Sequence, residues 1–448
     1  MKRYIFSLAA VMTSLTLSAQ HFWELNPQPA DLKAARTYRT EVVPYDTRHD
    51  AEARKMEASG YSIDFRPEVI VSSEAMSIVG KTLEIPYAWT DGVVYLHLEN
   101  VGQAYSLYVN DTLVADVEDP LTPAEFHLTP LVRQGENSLK MILRPSRTPH
   151  INPVPSVKRT PFAESYLYYQ EKRSLRDFEM ALIPDSVRRD GILELKILTQ
   201  NAYNYDEQVE VGYDIYSPQG KLLDFNIRSI NIPGRSTDTV KFNPFIYHVN
   251  ENRWSASTKA APPIYKVMLF SRRHGAYKEY MPLRIGFGRA ELQGDQIVMH
   301  DVALTLRKTA YNAAESRTTT LTEMKALKAK GFNTLCPSYP QPRWYYELAT
   351  DLGLYVIDCA AISAPEKRTD RSVGGTPSND PKMVDEYIER VKAMYYRSRN
   401  FTCVVAFSLG NPSGNGYAMQ KAYEWLKGVE KYRPVIYEDA AGEWNSDL

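Results

Sequence analysis

The chain has 448 residues, of which 44% are hydrophobic and 24% charged, as in globular proteins large enough for several domains. Its 53 basic and 54 acidic residues leave a net charge of -1, which excludes the basic surplus of a nucleic-acid or anionic-membrane binder. Three cysteines without Cys/His metal spacing exclude a disulfide scaffold, and we predict no metal and no cofactor.

The N-terminus has the pattern of an export signal. Two basic residues precede an apolar stretch over positions 5–17, and small residues offer a cleavage site after Ala19. The stretch is too short for a membrane span, and no later run reaches about 18 apolar residues. We therefore expect residues 1–19 to be a signal peptide and the mature protein to be secreted across the inner membrane into a periplasm.

Two β regions follow. Residues 20–155 contain short apolar or alternating runs, such as 93–98 and 105–109, that are broken at Gly, Asn, Asp and Pro, as in an antiparallel sandwich. We interpret 156–187, which begins rich in Pro and basic residues, as a connector. Residues 188–285 contain five further strand-like runs, and their length fits one immunoglobulin-like sandwich.

After residue 286 the hydrophobic period changes from two to 3.6, and helical and strand patterns alternate. A capping box at 320–323 opens the first helix, and Gly331 ends it. This rhythm predicts parallel strands joined by helices, as in a (β/α) barrel, which needs eight strands to close. The predicted strands number about five, near 302–306, 332–336, 354–358, 403–409 and 435–437.

Several segments resemble one enzyme family. Residues 408–416 read S-L-G-N-P-S-G-N-G, and 343–348, 353–358 and 433–438 read R-W-Y-Y-E-L, G-L-Y-V-I-D and R-P-V-I-Y-E. These resemble glycoside hydrolase family 2 in its β-galactosidase branch, whose N-terminal jelly roll is similar to V-N-D-T-L-V-A at 109–115. The resemblance implies a multidomain β plus α/β fold: a jelly-roll β-sandwich over 20–155, the immunoglobulin-like β-sandwich, and a partial TIM (β/α) barrel over 286–448.

The resemblance also implies lost catalysis. In the family the fifth position of the 408–416 segment is the Glu that donates the proton, and this chain has Pro412 there. A retaining β-glycosidase needs two carboxyl groups about 5 Å apart. The family places the second one further on than Leu448, and Cys336 and Cys359 replace family Arg and Glu residues. We therefore expect an inactive homologue of retaining β-glycosidases.

The resemblance leaves four candidate ligand-binding residues at predicted strand ends: Tyr339, Asp358, Asn411 and Glu438. A new acid/base pair among Asp358, Glu438 and Asp439 is an alternative, against the interpretation that these carboxylates support loops.

Cys336 and Cys359 each end one of two consecutive predicted strands. Neighbouring strands lie about 4.8 Å apart, which is within disulfide range. Either a bridge or two thiols that pack as small apolar groups fits the pattern, and we expect Cys403 to be free in both.

Three functions remain open. The first is an exported, non-catalytic carbohydrate-binding or structural protein. The second is an interaction module of the cell envelope without a sugar ligand. The third is an active β-glycosidase with unusual residues. We expect the open barrel to be covered by the chain's own β domains, by a second copy in a homodimer or by an envelope protein.

Overall fold

The computed structural model describes residues 36–448, except 42, 74–75, 156, 158, 186, 188–189, 248, 257–260 and 367. The predicted signal peptide lies outside this part of the chain. Among the described residues, no helix has both the length and the apolar character needed to cross a membrane.

The first domain is a sandwich of two five-stranded antiparallel sheets, in the orders β1-β8-β5-β10-β2 and β3-β4-β9-β6-β7. Alternation along the strands gives each sheet one inner face, as where Leu139, Met141 and Leu143 point into the shared core. The strands are β1 (Arg36–Thr37), β2 (Ser62–Asp64), β3 (Glu68–Ser72), β4 (Ser77–Ile85), β5 (Gly92–Leu98), β6 (Ala104–Val109), β7 (Thr112–Val117), β8 (Ala124–His127), β9 (Gly135–Arg144) and β10 (Tyr166–Glu171).

The second domain is also a sandwich of two antiparallel sheets, β14-β13-β17-β18 and β11-β12-β15, with β16 beside β12. Helix α1 (Arg48–Ala53) packs on its outer face, where Ala51 joins a cluster with Phe270 and Tyr280. The strands are β11 (Arg173–Pro184), β12 (Gly191–Asn201), β13 (Glu207–Tyr216), β14 (Leu222–Ile232), β15 (Ser236–Phe242), β16 (Phe245–Ile246), β17 (Ile264–Arg273) and β18 (Ala276–Gly286).

The predicted connector over 156–187 is wrong for most of its length. Strand β10 pairs with β5 over six positions and so belongs to the first sandwich. Strand β11 pairs with β12 from Arg173 onward and opens the second sandwich. Only one residue, Lys172, lies between the two strands, and the domains therefore follow each other directly.

The third domain contains a five-stranded parallel sheet in sequence order, β22 to β26, with helices on one side. A small antiparallel sheet precedes it: β19 (Glu291–Gln293), β20 (Gln296–Met299) and β21 (Val302–Ala303). The parallel strands are β22 (Lys308–Ala310), β23 (Thr334–Cys336), β24 (Tyr355–Cys359), β25 (Val404–Ser408) and β26 (Val435–Ile436). The helices are α2 (Arg317–Ala329), α3 (Arg343–Leu352), α4 (Val384–Ser398) and α5 (Tyr417–Val429).

Four of the five predicted parallel strands lie where the pattern placed them. The first was misplaced: 302–306 is not the first parallel strand, which is β22 instead. The apolar run that suggested it begins with the last strand of the small antiparallel sheet, where Val302 pairs with Met299. A short apolar run does not itself distinguish a parallel from an antiparallel strand, and here the hairpin pairing prevailed.

Helix α3 links this sheet to the second sandwich. It begins after Pro342 and ends at Gly353, whose left-handed φ of 64° turns the chain into β24. The Trp254 indole N–H donates to the Thr350 carbonyl at 2.9 Å. A Cβ at Gly286 would lie only 2.6 Å from the Trp254 ring, so the absence of a side chain there permits this contact.

The outer edge of β26 is covered by the chain that follows it. The Asp447 backbone N–H donates to the Val435 carbonyl at 2.8 Å, and the Val435 N–H donates to the Asp447 carboxylate at 2.7 Å. The Tyr437 N–H donates to Ser446 Oγ at 3.0 Å. Segment 446–447 thus satisfies the edge as a sixth strand would.

Candidate functional site

The inner face of the parallel sheet borders an open cleft of about 1040 Å³. Because successive side chains of a strand point to opposite faces, every second residue lines it. Gln296 and Ile297 of β20 also line the cleft, and so do the loops that follow β23, β25 and β26. The strand residues that line it are Lys308, Ala310, Cys336, Ile357, Cys359, Ser408 and Ile436.

The loop after β25 is held rigidly against its neighbours. Gly410 has a φ of 157°, and a Cβ there would lie 2.9 Å from the Ile362 side chain. The Asn411 amide donates to the carbonyls of Ser338 at 2.8 Å and Ile362 at 2.9 Å. Asn411 and Pro412 both line the cleft, so this loop places a proline where the family resemblance places a proton donor.

The predicted ligand residue Asn411 therefore lies in the cleft with its N–H groups already used. Its Oδ1 is left as the atom that accepts from a ligand hydroxyl. Glu438 also lies in the cleft, exposed, at the start of the short helical turn Glu438–Ala440 that follows β26. These two of the four candidates come together at the same end of the sheet.

The prediction of Asp358 as a ligand residue is wrong. Its neighbours Ile357 and Cys359 face the cleft, so Asp358 points to the helix side of β24. There its carboxylate accepts from Tyr346 Oη at 2.9 Å and from Ser398 Oγ at 2.5 Å. Burial raises the pKa of Asp358 to about 7, although these hydrogen bonds favour the charged form.

Tyr339 is likewise outside the cleft. Its side chain is buried in a small cluster with Leu121 of the first sandwich and Ala361 of the loop after β24. The alternative acid/base pair does not form either, since Asp358 is behind the sheet. Asp439 accepts from the backbone N–H groups of Ser413 at 2.8 Å and Gly414 at 2.7 Å, which supports the loop.

Of the two alternatives for Cys336 and Cys359, the structure shows two free thiols and no bridge, and Cys403 is free as expected. The register explains this, because Leu335 pairs with Val356 and Cys359 therefore lies two residues beyond the partner position of Cys336. Two residues along a strand and one strand spacing across separate the Cα atoms by about 8 Å, beyond disulfide range. Burial raises the pKa of the Cys359 thiol to about 12.

The cleft is lined by more acidic than basic side chains: Asp295, Glu438, Glu443 and Asp447 against Lys308. Two of the carboxylates have structural partners. Glu443 accepts from Arg371 at 2.6 Å and Asn415 at 3.1 Å. Asp447 accepts from Tyr423 at 2.6 Å and Lys427 at 2.9 Å, in addition to the Val435 N–H. In the described part of the chain, Glu438 is the one acidic side chain of the loops after β23, β25 and β26 with no such partner.

One cluster outside the cleft has the composition of a metal site. Ligand atoms of Glu41, His97 and Glu99 lie within 4.8 Å of one another, where the first sandwich meets α4. Arg397 donates to both carboxylates, at 2.7 Å from Glu99. The guanidinium occupies the position a cation would take, so these residues form a buried ion pair between two domains.

Sequence reasoning missed several lining residues, among them Ser338, Ile357, Ser408 and Ile436. Alternation along each strand is the signal that could have found the lining residues of the strands. It leaves two possibilities, because either the odd or the even positions of a strand can face the cleft. A parallel strand covered on both faces is apolar throughout, so the sequence does not reveal which phase faces the cleft. If the sequence had shown that Cys336 faces the cleft, the register of the sheet would have given the cleft-facing residues of the other strands.

Two family models match the chain. The model described as "Glycosyl hydrolases family 2, sugar binding domain" matches residues 22–152. The model described as "Glycosyl hydrolases family 2, TIM barrel domain" matches residues 312–447. The two matched regions together make up more than half of the chain. The first covers β1 to β9 of the first sandwich, and the second covers the third domain from just after β22.

Curated relatives and solved structures agree with this. The chain is 26% identical to a β-galactosidase of Lactococcus lactis over 395 residues, 84% of this chain and 37% of the relative. It is 28% identical to one of Vibrio cholerae over 363 residues, 76% of this chain and 34% of the relative. It thus spans well under half the length of these relatives.

Among solved structures, the fold is similar to that of a Bacteroides uniformis β-glucuronidase, with a TM-score of 0.67 at 16% identity, over 81% of this chain and 46% of that one. A family 2 member from Bacteroides cellulosilyticus gives a TM-score of 0.66 at 15% identity, over 81% and 49%. At these identities the likeness shows the fold alone.

Proposed function

We propose that this chain, which belongs to glycoside hydrolase family 2, is an exported protein that binds carbohydrate in the cleft without hydrolysing it. The observation that carries the proposal is Pro412. It lines the cleft in the loop after β25, at the position of the family's proton donor. Proline has no titratable side chain, so it neither protonates a leaving oxygen nor activates water.

The remaining carboxylates support the same conclusion. Double displacement needs two of them about 5 Å apart, one of which changes protonation during the reaction. Asp358 faces the opposite side of the sheet, and Asp439, Glu443 and Asp447 hold backbone or side-chain donors. Among the described carboxylates that line the cleft, Asp295 in the turn between β19 and β20 and Glu438 after β26 are left for a ligand, and Glu438 is the one at the ends of the parallel strands.

What the cleft retains suits sugar binding. Asn411 Oδ1 and the Glu438 carboxylate accept hydrogen bonds from hydroxyl groups. Ser408, whose hydroxyl donates to the Gly410 carbonyl at 3.0 Å, adds an acceptor oxygen. Ile357 and Ile436 provide an apolar floor for the C–H face of a ring. The acidic lining favours neutral glycans over uronic acids, because like charges repel.

The proposal extends to compartment and architecture. The basic and apolar start of the chain supports export to the periplasm. The two antiparallel sheets around one core support assignment of the second sandwich to the immunoglobulin-like class.

A direct test combines hydrolysis and binding. Purified protein is incubated with aryl β-galactoside, β-glucuronide and β-mannoside, and with a glycan array. We expect no aryl release and selective glycan binding. Pro412→Glu supplies one carboxylate of the pair, and we expect this variant to be inactive as well. Turnover well above a blank by either protein would contradict the non-catalytic role.

The second candidate is an envelope interaction module with no sugar ligand. It is favoured by the open inner face of the sheet, where Ile357 and Ile436 face a cleft rather than a closed barrel interior. Absence of binding on a broad glycan array, together with capture of a defined envelope protein that Glu438→Trp abolishes, would favour this candidate over the first.

A further inference from the structure

Strand β14 is an exposed edge of the second sandwich that lacks the usual protection. It pairs with β13 on one side, and its other side is the end of the sheet. In the described part of the chain, no backbone group from 222 to 231 bonds to any element other than β13. Edge strands are normally shielded by Pro, Lys, a bulge or a covering segment.

The outer face of β14 has none of these devices in its middle. The two charged side chains of the strand lie on the inner face, where Asp224 accepts from Tyr213 Oη at 2.5 Å and Arg228 donates to the Lys241 carbonyl at 2.5 Å. The sequence of β14, L-L-D-F-N-I-R-S-I-N-I, has no Pro and no Lys. The pairing with β13 is regular from Asp224 to Ile232, and the only irregularity lies before Asp224. The opposite edge of the same sheet is covered, because Tyr45 pairs with Tyr280 of β18 through two bonds of 2.9 Å.

The outer face of β14 is apolar. Phe225 is 67% exposed and Ile227 is 37% exposed. They lie two positions apart, so both side chains point to the same face of the sheet. Ile227 pairs with Gly212, whose missing side chain leaves room for the Phe270 ring 2.5 Å from the position of a Cβ. The apolar surface of Phe225 and Ile227 therefore continues from the edge strand to the Phe270 ring over β13.

We propose that β14 pairs with β14 of a second copy, antiparallel across a two-fold axis at Asn226. In this register Phe225 lies opposite the second copy's Ile227, and Asp224 lies opposite its Arg228. Directly opposed residues share a face, so apolar side chains meet on the outer face. On the inner face the opposed charges already have partners within each chain, Tyr213 for Asp224 and the Lys241 carbonyl for Arg228, so the apolar contact and the backbone pairing carry the interface. A two-fold contact repeats each pair twice, as in most homodimers.

Moving the two-fold axis by one or two residues gives less favourable cross-strand pairs. An axis at Ile227 places Asp224 opposite Ile230 and Phe225 opposite Ser229. An axis at Arg228 places two guanidinium groups opposite each other, which is destabilising. The apolar match of Phe225 with Ile227 about Asn226 thus favours a second copy in this register.

Disulfide trapping tests the register. At the axis a residue faces its own copy with Cα atoms about 4.5 to 5.5 Å apart, which is within disulfide range. We expect Asn226→Cys to form a linked dimer on air oxidation of the full chain. Ser229→Cys, equally exposed on the same strand but off the axis, and the unmodified protein with its three native cysteines should remain unlinked.

Sedimentation velocity tests the dimer itself. Ile227→Lys places a charge in the contact and is expected to raise the dissociation constant at least about tenfold. Val69→Lys, a matched change at a 67% exposed valine of edge strand β3, should leave it unchanged. Circular dichroism checks that both variants fold. A monomer throughout the micromolar range, or linkage of Ser229→Cys but not of Asn226→Cys, would overturn the proposal.

Discussion

The Asp358 carboxyl lies between β24 and helices α3 and α4, where burial raises its pKa to about 7. An ordinary aspartate ionises near pH 4. The folded state therefore holds a proton between about pH 4 and 7 that the unfolded state has released. Stability from this group is present in full below pH 4 and is lost as the pH rises towards 7.

Asp358→Asn removes this titration and keeps the shape. The difference in unfolding free energy, variant minus wild type, should rise by up to about 4 kcal/mol between pH 4 and 7.5. Urea titrations at a series of pH values measure it. Glu438→Gln, a matched change of an exposed carboxylate, should show no such trend. A flat difference for Asp358→Asn would refute the buried, protonated state.

The three thiols provide a second prediction at this scale. Cys336 is half-buried in the cleft, while Cys359 and Cys403 are buried. Burial raises the pKa of both buried thiols to about 12. Under native conditions an alkylating reagent should modify Cys336 first, and denaturation without reductant should expose three reactive thiols. Mass spectrometry showing only one adduct after denaturation would instead indicate a bridge.

At the scale of elements, the parallel strands were predictable because each is a short apolar run followed by a polar turn and a helical pattern. Side-chain direction was not predictable, since alternation leaves two possible phases and the strands are apolar on both faces. That is why Asn411, which lies in a loop, lines the cleft as expected, whereas Asp358, one residue out of phase on its strand, does not. The bridge failed for a similar reason, because register is not visible in the sequence.

Segment 446–447, which covers the outer edge of β26, is held in place by Asp447. Its carboxylate holds the Val435 N–H, the Tyr423 hydroxyl and the Lys427 ammonium. Asp447→Ala leaves these donors without a partner, and we expect a loss of about 2 kcal/mol in unfolding free energy, measured by urea denaturation. Glu438→Ala, an exposed carboxylate after the same strand, should change it by less than about 0.5 kcal/mol. Equal losses of stability in Asp447→Ala and Glu438→Ala would show that the hydrogen bonds of Asp447 do not stabilise the fold.

At the scale of the whole molecule, three domains are joined by buried polar contacts as well as apolar ones. Arg397 of α4 binds Glu99 of the first sandwich, and Arg399 binds Asp177 of the second at 2.6 Å. The sheet and its cleft are therefore positioned by both sandwiches. We propose that this cleft has kept the binding of sugars and lost their hydrolysis.

Saturation-transfer NMR with a neutral β-linked oligosaccharide tests both parts of that claim in one tube. We predict saturation transfer to the sugar protons, its loss in Glu438→Trp, which fills the cleft mouth at an exposed position, and no new anomeric signal after prolonged incubation. A growing signal from a released sugar, or saturation transfer that Glu438→Trp leaves unchanged, would contradict the account.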